Sequence, residues 1–106
     1  MKEKPNMKYL DGIAGGDLEF RQKFISILKQ EFPEEQSEYL KNIEEGLLRA
    51  ASENVHKIKH KINVLGLHNT YTLAVQHENE LRNGEDTLHL EFLNALQEIA
   101  TYLKTI

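Results

Sequence analysis

A histidine and a lysine stand three residues apart at His56 and Lys59, and a second histidine, His60, follows at once in the run VHKIKHKINVLG. On an α-helix, residues three and four apart are surface neighbours. Lys59 and His60 would therefore both flank His56, with Asn63 one further turn along. A neutral imidazole keeps a free lone pair on one ring nitrogen near pH 7. That nitrogen can attack phosphorus and hold the group as a phosphoramidate. An ammonium one turn away then offsets the negative charge of the incoming phosphoryl group. His56 is thus the candidate phosphoacceptor and Lys59 the candidate phosphate-stabilising cation, with His60 and Asn63 as auxiliaries. Such a carrier needs no pocket, provided that a partner brings the metal and the other reacting residue.

The segment that must position these residues has the cleanest pattern in the chain. Leu48, Ala51, Val55, Ile58, Ile62 and Leu65 alternate spacings of three and four, which is one apolar seam on one helix, stopped at Gly66. With Val55 and Ile58 facing inward, the helical period turns His56 outward, roughly 130° from the centre of the seam.

The other elements read as helices too, because β-branched residues nowhere alternate with polar ones for long. Residues 1–8 are expected to be disordered or an extended lead-in. Tyr9 to Ala14 form a short helix or extend that lead-in. Asp17 is an expected N-cap, with Phe20, Phe24, Ile27 and Leu28 on one inward face. Beyond Pro33 the apolar set becomes Tyr39, Leu40, Ile43 and Leu47, out of phase with the earlier one. A proline inside a helix removes a hydrogen bond and clashes with the preceding turn, so a kink or restart is expected near Phe32–Pro33. A fourth helix starts after Asn69, carries Leu73, Ala74, His77 and Leu81 inward, and ends at Asn83–Gly84. Asp86 or Thr87 caps a fifth, whose buried face includes Phe92, Leu96, Ile99 and Leu103. Short connections between such helices predict one all-α domain over 1–106, an antiparallel four-helix up-down bundle with a short N-terminal helix.

Composition narrows the function. Cysteine is absent, which removes disulfides, thiolate metal sites and thiol nucleophiles. The formal net charge of −4 argues against a nucleic-acid binder. No apolar run reaches the length of a membrane span, and the N-terminus MKEKPNMKYL has no signal-peptide core, so a cytoplasmic protein without membrane insertion is expected. There is no P-loop or kinase signature, so the chain would carry phosphate without taking it from ATP itself. His68 and His89 fall near helix starts, with His89 otherwise solvent-facing, and His77 falls at the core edge. Two other readings stand beside the carrier. Zinc can bridge His56 and His60 at i, i+4, but a structural site needs four ligands and a catalytic one three, and the flanking lysines repel a cation. A non-catalytic helical interaction module is the third, in which Lys57, Lys59 and Lys61 only solvate one helix face.

From about Asp17 to Arg82 the chain resembles the histidine-containing phosphotransfer (HPt) family. His56 and Lys59 match its His-x-x-Lys motif, and Leu65-Gly66 falls where its Leu-Gly would. Gly46, ten residues before His56, is similar to the glycine that often closes the preceding helix. Ala74 followed by Glu78 resembles the family's Ala-x-x-Leu-Glu, and Asp17 to Phe24 and Pro33 also fit. The resemblance implies a phosphorelay intermediate. Its partners would be response-regulator receiver domains and a hybrid histidine kinase. Mg²⁺ would be held by the receiver, and this domain would bind no cofactor of its own. Three positions depart from the pattern. His60 stands where the family usually has Gly, Lys61 where a small polar residue is common, and Leu47 where Asp or Asn follows the glycine.

Overall fold

The computed structural model describes residues 3–106. Among them are five helices and no strand: α1 Lys8–Ala14, α2 Leu18–Glu44, α3 Leu48–Val64, α4 His68–Arg82 and α5 His89–Leu103. Helix α2 packs against α3 and α5, α4 packs against the same two, and α1 lies on α2. The cycle of contacts encloses a core that includes Leu28, Phe32, Val55, Ile58, Ile62, Leu81, Phe92 and Ile99. Each such side chain contributes about 1.5–3 kcal/mol by leaving water. No described helix is long and apolar enough to cross a membrane.

Helix α3 follows its seam. Ala51, Val55, Ile58, Ile62 and the adjoining Leu65 are fully buried, and Leu48 packs half-buried at the edge. Gly66 closes the helix at φ 75°. A Cβ there would sit 2.7 Å from the Asn6 amide, so any other residue would strain the backbone and push the Asn6 side chain aside.

Helix α2 corrects three expectations. The Asp17 side chain caps it as predicted, accepting the Phe20 N–H at 3.1 Å. It then runs unbroken through Pro33, so of the expected kink or restart the restart is absent. Leu28, Phe32 and Tyr39, buried on both sides of the proline, hold the two halves in one helix through tertiary packing. The inward face expected for Phe20 and Ile27 is not formed: they are 40% and 41% exposed, and only Leu28 of that set is fully buried. Length explains this. At 1.5 Å per residue α2 reaches about 40 Å and α3 only about 25 Å, so one end of α2 outruns its main partner. Leu47 also lies outside the core, 50% exposed, because it sits in the α2–α3 connection.

Residues 3–7 of the expected lead-in are non-helical and pinned in place, Lys8 already belongs to α1, and residues 1 and 2 lie outside the described residues. The Glu3 carboxylate accepts the N–H groups of Asn69 at 3.0 Å and Thr70 at 2.7 Å, and the Asn6 N–H donates to the Leu65 carbonyl at 2.9 Å. Burial pushes the Glu3 carboxyl up, but these two N–H groups outweigh it and hold it below its ordinary value. A carboxylate from the chain start thus serves the orphan N–H groups of α4, and α4 begins at His68, before Asn69 instead of after it. Neither Asp86 nor Thr87 caps α5 with its side chain. The Thr87 hydroxyl donates instead to Glu80 at 2.5 Å.

His77 is 0% exposed, inside the core instead of at its edge. Its Nε2 lies 2.7 Å from the Tyr39 hydroxyl, and Nδ1 of the part-buried His89 lies 2.8 Å from the same oxygen. His77 Nδ1 is buried without a partner. An orphan lone pair is cheaper to bury than an orphan N–H, which assigns the protons along this chain. His77 Nε2–H donates to Tyr39, and Tyr39 donates to His89 Nδ1.

Candidate functional site

Helices α3 and α4 pack closely, and Ala51 of α3 and Ala74 of α4 are both fully buried. This brings four polar side chains to one edge of the interface: His56 and Lys59 from α3, Glu78 and Arg82 from α4. Glu78 is at the centre, its side chain only 5% exposed. Its Oε1 accepts from Lys59 Nζ at 2.9 Å. Its Oε2 accepts from Arg82 Nη2 at 2.7 Å, an i, i+4 pair along α4, and from His56 Nδ1 at 3.1 Å. Burial pushes the Glu78 carboxyl up, but the Lys59 hydrogen bond and charge, with Arg82 and His56, outweigh it and hold it below its ordinary value.

An ionised carboxylate only accepts, so the proton of a neutral His56 sits on Nδ1 and the lone pair on Nε2. The ring is half in solvent, its side chain 51% exposed. The outward position expected for His56 is thus observed, and the nitrogen that keeps the lone pair is defined by a partner on the next helix.

Lys59 lies close to His56 as the spacing predicts, but it is not a freely solvated surface lysine: its side chain is 13% exposed and tied to Glu78. An ammonium has three N–H donors, so two are left for another acceptor. His60 is exposed, and its ring meets that of His56 edge to face at a centroid distance of 5.3 Å. Asn63 is exposed and does not join the Glu78 cluster. Lys61 does not add free positive charge to this face, because it turns to α2 and pairs with Glu35 at 2.9 Å and Glu31 at 3.0 Å. Burial lowers the Lys61 pKa, but the two carboxylates outweigh it and raise it overall.

Two features brace or flank the site. Asn42 Nδ2 donates to Asn54 Oδ1 at 2.6 Å and Asn54 Nδ2 to Glu38 Oε2 at 3.2 Å, fixing α3 to α2 two residues before His56. Beside His60, a shallow groove of about 150 Å³ is lined by Phe24, Ile27, Leu28 and Val64, with Glu31 and Lys61 at its rim. A concavity of about 740 Å³ between the lead-in and α5 does not include His56. Among the described residues, no group of three His, Cys, Asp or Glu side chains is placed to share a metal ion.

Glu78 and Arg82 lie on α4, outside any spacing along α3, so the period of α3 does not mark them as neighbours of His56. The available signal was weak: Glu78 follows Ala74 as in the family pattern, but nothing in its own helix shows which residue of α3 it faces. No family model, no curated protein and no solved structure matches this chain.

Proposed function

We propose that this chain is a phosphorelay carrier of the HPt kind, in which α2 to α5 form an antiparallel up-down bundle and His56 bears the phosphoryl group. The partner is a response-regulator receiver domain with an aspartyl phosphate, itself charged by a hybrid histidine kinase, in the cytoplasm. His56 Nε2 attacks the phosphorus. The N–P bond forms as the acyl phosphate P–O bond breaks, and the aspartate leaves as a carboxylate. Mg²⁺ on the receiver supplies charge neutralisation there. The imidazole becomes a cation, and Glu78, already accepting its Nδ1–H, stabilises that charge. Lys59 offers its remaining donors to the phosphoryl oxygens. A second receiver aspartate reverses the chemistry.

The observation that carries this reading is the 3.1 Å contact between His56 Nδ1 and Glu78. It leaves Nε2 as the basic nitrogen on a half-exposed ring, which is what a transfer between two proteins requires. The test is incubation with phosphorylated receiver domains, followed by assay for acid-labile, base-stable phosphate on the chain. The competing reading, a helical interaction module without chemistry, draws on the exposed Leu18, Phe20 and Ile27 of α2. It predicts receiver binding or self-association with no labelling.

A further inference from the structure

The cations nearest His56 already have partners. Lys59 and Arg82 both donate to Glu78, and Lys61 donates to Glu31 and Glu35. Lys57 is exposed one residue along, where a helix turns it away from His56. His60 differs from all of these. Among the described residues no side chain is hydrogen-bonded to its imidazole, and its ring already lies against that of His56, with the planes at 88°. It is exposed, so a group added to His56 from solvent would arrive beside it.

We propose that His60 donates a hydrogen bond to the phosphoryl group on His56 and thereby lengthens the life of the phosphohistidine. The inference rests on the carrier reading above. An imidazole has at least one ring N–H in either protonation state, so it is always a donor. A phosphoryl group at Nε2 brings three acceptor oxygens with negative charge into the space next to that donor, and such charge-assisted bonds are the strong ones. Loss of the group to water passes through a loose, metaphosphate-like state. A donor that holds the oxygens more tightly before departure than during it slows the loss, since only differential binding changes a rate. A glycine at this position would leave the phosphoryl group to Lys59 alone among the donors of α3.

The test uses the full chain and phosphoramidate as a small donor, so no receiver is needed to load it. His56 Nε2 attacks the phosphorus of zwitterionic phosphoramidate, an N–P bond forms as the original P–N bond breaks, and the already protonated nitrogen leaves as ammonia. The labelled protein is freed of donor, and the decay of label is followed in the native chain, His60→Ala and His60→Gln. Alanine should shorten the lifetime roughly three- to tenfold, the effect of one exposed hydrogen bond. Glutamine, which keeps an N–H donor, should restore most of it. An equal or longer lifetime in His60→Ala overturns the role of His60 and leaves the carrier reading standing. A native chain that takes no label from phosphoramidate or from any receiver overturns the carrier reading and this inference with it.

Discussion

The Glu78 carboxylate lies 3.1 Å from Nδ1 of His56 across the α3–α4 interface, on a side chain almost wholly removed from solvent. One buried acid thus sets the tautomer of an exposed base, and it also gathers Lys59 and Arg82.

Replacing Glu78 by alanine should therefore do two things. It strands the Lys59 ammonium, which is largely covered, so unfolding in urea should show a loss on the order of 1–3 kcal/mol. It also frees the His56 proton to move between the two nitrogens. Nitrogen-detected NMR should show His56 almost entirely protonated on Nδ1 when neutral in the native chain, and a mixture in Glu78→Ala. The same tautomer ratio in both would remove Glu78 from the site.

The buried His77 predicts a pH dependence. Burial, reinforced by the charge of His89 when protonated, lowers its pKa from 6.5 to about 4. The folded state therefore favours the neutral ring, and the unfolded state takes up a proton first. The stability this represents is complete above about pH 6.5 and is lost as pH falls through the window down to about 4. Its full size is roughly 3 kcal/mol. Carboxyls held low, such as Glu3 and Glu78, act in the same direction but only below their ordinary range near 4.5. Urea titrations between pH 7 and pH 5 should thus show falling stability in the native chain and a flatter profile in His77→Gln.

Gly66→Ala should destabilise the chain by about 1 kcal/mol or more, because φ is 75° and the new methyl would meet the Asn6 side chain. The lead-in should loosen with it. Hydrogen exchange at the Asn6 amide, bonded to Leu65, reads this directly, and unchanged protection would show that the lead-in does not depend on that contact.

How much of this was legible in the sequence follows from which features are local. The α3 seam and the outward turn of His56 are set by the period of a single helix, and both were readable. The Asp17 cap was readable for the same reason, since donor and acceptor are three residues apart. The start of α4 depends on Glu3, more than sixty residues away, and no nearby signal announces it. The exposure of Phe20 and Ile27 depends on the relative lengths of α2 and α3. The Glu78 cluster and the pairing of Lys61 depend on how neighbouring helices are set against each other. A spacing rule along α3 marks Lys59 as a neighbour of His56, but only the packed pair shows that its charge is shared with a buried carboxylate.

The central claim is that His56 carries phosphate, and one measurement tests it most directly. The native chain and His56→Gln are each incubated with phosphorylated receiver domains, and acid-labile, base-stable phosphate is counted per chain alongside the far-UV helical signal. Because His56 is half exposed and off the seam, the substitution should leave the helical signal unchanged. Label is expected on the native chain and none on His56→Gln. Equal labelling of the two would contradict the claim and move the acceptor to another residue, with His60 the first to examine.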